Sequence, residues 1–158
     1  SLRVFFQREG ASEPRPAVKA LLDEERAWGV SDPAAYRAFA SRVSGLKEEL
    51  VSLLRKLKAE GKRVAAYGAA AKGSTLLNCF GIGADVIDFV ADRSTVKQGR
   101  LMPGIGVPIV APEELVAKRP DYCLLLTWNF ADEILAQQSA YREKGGRFVI
   151  PVPSVRIV

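Results

Sequence analysis

A loop of small and cationic residues, lying between a short apolar run and a predicted helix, carries the clearest chemical signal in the sequence. The loop has the sequence GAAAKGST over residues 68–75 and follows the apolar run that ends at Tyr67. The first N–H groups of a helix are unpaired and carry a partial positive charge, so a Gly/Ala loop there lets an anion approach the backbone. Lys72 adds a full charge, and Ser74 or Thr75 could cap the helix or donate to an oxygen. The loop predicts an anion-binding site, with a plain strand-to-helix turn as the alternative.

The spacing of this loop matches neither of the standard phosphate-binding motifs. The GxGxxG pattern of dinucleotide-binding proteins is absent, and Lys72 precedes Gly73, whereas the P-loop places its lysine after the second glycine. The sequence therefore favours an anion without indicating NAD(P) or ATP as the ligand.

An acid and several cations follow the second predicted strand. Asp92 ends that strand, 24 residues after Gly68, where a dinucleotide-binding fold places the acid that holds a ribose hydroxyl. Arg93, Lys97 and Arg100 follow within the same loop. An acid for a sugar diol beside cations for phosphate would suit a nucleotide or a nucleotide-linked sugar. The alternative is a solvated turn.

The fourth predicted strand ends in the segment Thr127-Trp128-Asn129. A tryptophan just past a strand either packs against the fold or stacks on a ligand, and Asn129 could recognise an amide or a base edge. In an open α/β sheet the loops that follow the strands meet at the carboxyl edge, where ligands bind at the switch point. We therefore expect Trp128 and Asn129 to lie at the same edge as the 68–75 loop.

The composition excludes several kinds of catalysis. The 158 residues include no histidine, which removes Ser-His-Asp triads, Cys-His pairs, imidazole metal ligands and histidine bases. With two cysteines the chain cannot build a closed zinc site, so no metal site and no catalytic residue are expected. Cys79 and Cys123 lie far apart in apolar stretches and are predicted to be reduced core thiols.

Charge and hydropathy argue against nucleic acid and membrane partners. The net charge of +5 is spread along the chain and is not gathered into a basic stripe with interleaved aromatic residues. There is no signal-peptide pattern, and no segment approaches the roughly 18 apolar residues of a membrane span. These features predict a cytoplasmic protein. Because the chain begins with Ser1 and enters at once into a strand-like pattern, we expect it to be part of a longer protein.

The first 60 residues predict one strand and two helices. Residues 2–7 (LRVFFQ) are β-branched and aromatic enough for a strand. Apolar spacing over residues 16–28 favours a helix. Asp32 and Pro33 form an N-cap and first-position pair, which predicts a long amphipathic helix that ends at Gly61.

Beyond residue 60, short apolar runs alternate with helix-like segments, which is typical of parallel strands covered on both faces. The predicted fold is α/β, a Rossmann-like doubly wound parallel sheet with an N-terminal strand and a long helical extension. Residues 1–60 are predicted to form the extension and residues 61–158 the Rossmann-like domain. Strands are expected at 63–67, 86–91, 108–110, 122–127 and 147–150, and helices at 74–80, 112–118 and 130–144.

Four ordered segments resemble the C-terminal domain of the SAM-dependent C-methyltransferases that act on nucleotide-linked deoxysugars. The opening Ser-Leu-Arg is similar to the end of that family's central methyltransferase domain, which implies that residues 1–60 continue from it. The four segments are YGAAAKGSTLLN (67–78), VADRSTVKQGRLMPGIGVPI (90–109), LLLTWNFADEI (124–134) and GGRFVIPVP (145–153).

The resemblance implies a domain that holds a nucleotide-linked sugar while the central domain of the same parent chain binds SAM. The implied reaction is deprotonation alpha to a keto group of the sugar, followed by attack of the carbanion on the SAM methyl group. The family's catalytic base and SAM loop have no counterpart here, so the resemblance implies no cofactor in this chain and no methyl transfer by it alone. The residues implied to line the substrate are Arg3, Tyr67, Gly68, Lys72, Gly73, Ser74, Asp92, Lys97, Trp128 and Asn129.

Two other functions remain open on the sequence. The fold alone would suit a stand-alone nucleotide-binding or NAD(P)-binding regulatory module. The long helix from Asp32 to Gly61 could instead be the dimerisation face of an interaction module.

Overall fold

The computed structural model describes residues 2–158, which divide into two compact units at Arg42 and Val43. The first unit contains helix α1 (Pro16–Trp28) and the start of helix α2 (Pro33–Ala59), as predicted. Pro16 begins α1, and Gly29 ends it in the left-handed conformation with a φ of 89°. Asp32 caps α2, since its Oδ1 accepts the Ala34 N–H at 2.8 Å.

The strand predicted over residues 2–7 does not form. These residues are irregular and exposed, and the sheet of this chain contains no strand from this segment. A strand needs a neighbour for its N–H and C=O groups, and β-branched or aromatic composition supplies none. The prediction was wrong for this chain because composition alone cannot provide the pairing partner.

The second unit is built on a six-stranded sheet with the order β3-β2-β1-β4-β5-β6, which confirms the predicted α/β Rossmann-like fold. Neighbouring strands are parallel except β6, which runs antiparallel to β5. The strands are β1 (Val64–Tyr67), β2 (Val90–Ala91), β3 (Ile109–Val110), β4 (Tyr122–Leu125), β5 (Arg147–Ile150) and β6 (Arg156–Ile157). The remaining helices are α3 (Ala71–Phe80), α4 (Glu114–Lys118), α5 (Ala131–Gln137) and α6 (Ser139–Glu143), with a 3-10 turn at Trp128–Phe130.

The sheet has an apolar core on each face, because side chains alternate along each strand. Val64 and Ala66 pack on one face with the apolar side of α3. Ala65 and Tyr67 pack on the other face with α4, α5 and α6. The central strands are therefore buried on both sides, which explains why their sequences are apolar without polar alternation.

The C-terminal half of α2 belongs to the core of the sheet unit. Leu50 and Leu54 are fully buried and Leu57 is 5% exposed, in the same cluster as Val64 and Leu77. The compact unit consequently starts at Val43, inside α2, whereas the sequence predicts a boundary after residue 60.

The two cysteines differ in environment. Both are free, and Cys123 is buried in β4 as predicted. Cys79 is exposed near the end of α3, so the prediction of a core thiol was wrong there. Its helical neighbours Leu76, Leu77 and Phe80 face the core instead.

The buried acidic groups of the core predict a loss of stability in alkali. Burial raises the pKa of the Cys123 thiol and of the Tyr141 hydroxyl, which donates to the Pro120 carbonyl at 3.0 Å. A group whose pKa is raised on folding stabilises the fold below its unfolded pKa, and that contribution is lost as the pH rises. We expect the thermal midpoint to fall as the pH passes about 9, with a shallower fall in Tyr141→Phe. A midpoint that stays flat from pH 8 to 10.5 in the wild type would contradict this account.

Candidate functional site

The candidate site lies where the loops after β1 and β4 leave the sheet. β1 and β4 are adjacent, with β2 and β3 on one side and β5 and β6 on the other. The chain passes from β1 to α3 on one face and from β4 to α5 on the opposite face. A crevice at such a switch point is where open α/β sheets bind ligands.

Lys72 contacts residues of the β4 loop across this switch point. Its Nζ donates a hydrogen bond to Asn129 Oδ1 and lies 4.2 Å from the centre of the Trp128 ring. The structure thus brings together Lys72 from the first turn of α3 and Trp128 and Asn129 from the 3-10 turn that follows β4.

Lys72 carries a charge that no carboxylate pairs with in the described part of the chain. Among residues 2–158 it forms no ion pair with a carboxylate. Partial burial lowers the pKa of its ammonium group. Lys72 also lies in the first turn of α3, where the helix dipole disfavours a cation. An anion bound at this point would relieve both effects.

The N-terminus of α3 offers further donors. Its N-cap is Ala70, whose side chain cannot accept a hydrogen bond, and the N–H groups of residues 71–73 have no acceptor in the described part of the chain. Sequence analysis placed the helix start at residue 74, three residues too late, so Lys72 was predicted to lie in a loop. Its true position in the first helical turn aligns it with the free N–H groups.

Gly68 and Gly73 allow the close contact between the two loops. A Cβ on Gly68 would lie 2.6 Å from Thr127 Cγ2, and Gly68 has a φ of 94°. A Cβ on Gly73 would lie 2.7 Å from Leu126 Cβ. Gly68 is therefore needed for packing of the loop after β1, and Gly73 for packing of α3, on the residues that follow β4.

Asp92 and Lys97 bind the β1 loop. Asp92 Oδ2 accepts the Ala69 N–H at 2.6 Å, and its Oδ1 accepts the Ser94 N–H at 2.8 Å. Lys97 Nζ donates to the Ala69 carbonyl at 2.9 Å and lies 3.3 Å from Asp92 Oδ2. The Gln98 side chain donates to the Asp92 carbonyl at 2.9 Å. Sequence analysis did not identify Gln98, since nothing in the local pattern marks it.

The side chains of Ser74 and Tyr67 contact other parts of the fold than Trp128 and Asn129 do. The Ser74 hydroxyl lies 3.2 Å from the Pro103 carbonyl and ties α3 to the loop before β3. Tyr67 is 4% exposed and packs on the opposite face of the sheet, among residues that include Phe89. Burial raises the pKa of Tyr67, and the Arg93 charge and the neighbouring Gln138 side chain oppose that rise. Its predicted contact with substrate stays a prediction.

Arg3 lies in the first compact unit, in irregular and exposed backbone. Its predicted role in substrate binding rests on the resemblance alone.

The residues at this edge do not fit the adenosine of SAM or NAD(P). Such a ligand takes a ribose contact from an acid after β2 and a close approach from glycines after β1. Here Asp92 Oδ1 and Oδ2 both already accept protein N–H groups, and Ala69, Ala70 and Ala71 follow Gly68. The described edge suits a phosphate or diphosphate group at Lys72.

Metal binding and membrane spanning find no support in residues 2–158. No group of three or more His, Cys, Asp or Glu side chains in this part of the chain is arranged to hold a metal ion. None of its helices combines the length and apolar character needed to cross a membrane.

Comparison with known proteins identifies the family. The C-methyltransferase C-terminal domain matches residues 1–153 of this chain. C-methyltransferase NovU of Streptomyces niveus is 43% identical over 159 residues, an alignment that covers all of this chain and 38% of NovU. The chain therefore spans well under half of that relative's length. The resemblance seen in the four sequence segments is confirmed, and the chain belongs to the family of C-methyltransferase C-terminal domains.

Proposed function

We propose that this chain is the substrate-binding domain of a SAM-dependent C-methyltransferase and that it holds a nucleotide-linked sugar by its diphosphate. The observation that carries the proposal is the cation of Lys72 at the switch point, without a carboxylate partner in residues 2–158. A diphosphate supplies the charge that this position lacks.

In this proposal the N-terminus of α3 binds the diphosphate, and the segment after β4 binds the groups attached to it. The N–H groups of residues 71–73 and Lys72 Nζ donate to phosphate oxygens. Trp128 and Asn129 lie beside Lys72 and contact the groups attached to the diphosphate.

The contribution of this domain to the reaction is orientation. Fixing the phosphate end presents the sugar carbon to the catalytic part of the enzyme, which converts an encounter between two molecules into a positioned reaction. With no histidine in 158 residues, we assign proton abstraction, SAM binding and methyl transfer to the central domain of the parent chain.

Residues 2–7 join this domain to the catalytic part in the same proposal. Leu2 and Val4 are more than half exposed, Phe5 is 81% exposed and Phe6 is 91% exposed. Apolar side chains exposed to this degree are typical of an interface. NovU has 62% of its length outside the match, since the match covers 38%, and in this proposal the corresponding part of the parent chain is the partner of residues 2–7.

We place this function in the cytoplasm. The two cysteines of the chain are both free thiols, one of them exposed, which accords with a reducing compartment.

Isothermal titration of the 158-residue chain with UDP-glucose and with dTDP-glucose tests the proposal. We expect saturable binding with a Kd below about 1 mM for both nucleotide sugars, because the diphosphate is common to them. Glucose without a phosphate is the matched ligand control and is expected to give no measurable heat of binding.

The binding should weaken as the salt concentration rises, since the principal contact is between charges. Equal binding of glucose and of the nucleotide sugars would contradict the proposal. So would the absence of binding by any nucleotide sugar at ligand concentrations up to about five times the 1 mM upper limit on Kd. A stronger response to NADH than to either sugar nucleotide would favour a dinucleotide-binding module instead.

A further inference from the structure

Charged side chains bind both the backbone N–H and the backbone carbonyl of Ala69. Its N–H donates to Asp92 Oδ2 at 2.6 Å, and its carbonyl accepts Lys97 Nζ at 2.9 Å. The neighbouring N–H groups of the loop are also used within the protein. Gly68 donates to the Ala91 carbonyl at 2.7 Å, and Ala70 donates to the Gly68 carbonyl at 2.8 Å.

The carboxylate of Asp92 has little left to offer a ligand. Its Oδ2 faces the Ala69 N–H and Lys97 Nζ, and its Oδ1 faces the Ser94 N–H. The side chain is 12% exposed. An acid that holds a ribose hydroxyl presents a free oxygen to it, whereas three protein donors already occupy the two oxygens of Asp92.

The loop held in this way leads directly into the first turn of α3. Ala69 precedes the Ala70 N-cap and lies three residues before Lys72, so the two peptide groups that flank Ala69 set where the helix begins. A loop released from Asp92 and Lys97 would let the α3 donors and Lys72 spread over several orientations, at a cost in affinity for any anion.

From this geometry we infer that Asp92 and Lys97 are positioning residues for the diphosphate site and that the site binds its nucleotide without reading the ribose. The inference rests on the proposed function for its ligand. It departs from the usual dinucleotide-binding arrangement, in which the acid after the second strand is itself a ligand. The substrate class that follows is any diphosphate-linked sugar, whether its nucleoside carries ribose or 2′-deoxyribose.

Calorimetric titration with UDP and 2′-deoxy-UDP separates the two roles, because these probes differ only in the 2′-hydroxyl. We expect the wild type to bind both within about twofold. Asp92→Asn should weaken both equally, by about tenfold, since it loses charge-assisted hydrogen bonds that order the loop. Lys97→Met should also weaken both equally. Because Lys97→Met leaves Asp92 in place, it provides the same test if Asp92→Asn is poorly folded.

A ligand role for Asp92 gives a different pattern. The wild type would then prefer UDP by tenfold or more, Asp92→Asn would abolish that preference, and Lys97→Met, which frees the carboxylate, would increase it. That pattern would overturn the inference.

Amide hydrogen exchange at Ala69 tests the positioning role without any ligand. We expect the Ala69 N–H to be protected in the wild type and to exchange at least about tenfold faster in Asp92→Asn and in Lys97→Met. If neither probe binds, the proposed diphosphate site fails, while accelerated exchange would still support the hold on the loop. Unchanged exchange in both variants would overturn the positioning role.

Discussion

Replacing Lys72 by methionine should remove most of the affinity for nucleotide sugars while leaving the fold as stable as before. Methionine keeps an unbranched apolar stem against Trp128 and removes the ammonium group. Hydrogen bonds to charged groups are worth about 1.5–3 kcal/mol, so we expect a loss of about 10- to 100-fold in affinity for UDP-glucose. The measurement is isothermal titration of the two proteins at equal ionic strength.

The stability of Lys72→Met makes this prediction specific. Partial burial lowers the pKa of Lys72, so the folded state disfavours its charge in spite of Asn129 and Trp128. Removing that charge should leave the free energy of unfolding within about 1 kcal/mol of the wild type. A residue whose loss costs binding and not stability is typical of a site under functional constraint.

Lys144→Met is the matched control for Lys72→Met. Lys144 is exposed and precedes β5, so it lies at the amino edge of the sheet, opposite the candidate site. The Lys144→Met protein should bind UDP-glucose with the affinity of the wild type. Equal affinities in all three proteins would remove Lys72 from the site. Equal losses of affinity in both variants would show that the change in net charge, and not the position of Lys72, causes the effect.

Replacing Gly68 by alanine should destabilise the protein by about 2–5 kcal/mol. The φ of 94° places an alanine in the unfavourable left-handed region, at about 1–2 kcal/mol. The added Cβ would also lie 2.6 Å from Thr127 Cγ2, and overpacking of this kind costs about 1–3 kcal/mol. Urea denaturation of the variant and the wild type gives the difference in free energy of unfolding.

Gly61→Ala separates the two causes. Gly61 also has a positive φ, at 75°, but nothing lies within 4 Å of its added Cβ. It should cost only the backbone part, about 1–2 kcal/mol. If Gly68→Ala cost no more than Gly61→Ala, the close packing of the β1 loop on Thr127 would be contradicted.

Local sequence predicts the helices of this chain well, because their signals are local. The Asp32 cap, the apolar spacing and Gly61 predict α2, which runs from Pro33 to Ala59. Pro16 at the start of α1 and Gly29 at its end act in the same way. Helix α3 starts earlier than predicted, because Ser74 looks like a cap in sequence but bonds to Pro103 across the fold.

Strands are predicted less well, because their pairing is not local. Residues 2–7 have the composition of a strand and no partner in the sheet. Only Val90–Ala91 of the predicted 86–91 strand forms, since Val86 and Ile87 instead donate to the Gly83 carbonyl in a turn. β6 was not predicted, because two residues after a proline-rich exit carry too little pattern.

The candidate site also has features that the sequence predicts and features that it does not. The rule that parallel strands share a carboxyl edge was enough to predict that Lys72 would lie near Trp128 and Asn129, and the contacts confirm it. The same rule suggested a ligand role for Asp92. It could not reveal the bonds from Ala69 and Ser94 to that carboxylate, since those depend on the three-dimensional course of two loops.

The central claim is that an anionic substrate binds at the switch point between β1 and β4. The most direct measurement is a nitrogen-15 correlation spectrum of the whole chain, titrated with UDP-glucose. We predict saturable shifts of the backbone amides of residues 71–73 and of the Trp128 indole N–H, with little change at Lys144 and Gly145 beside the amino edge. Shifts confined to the amino edge, or no saturable shift at residues 71–73 while UDP-glucose binds, would contradict the account.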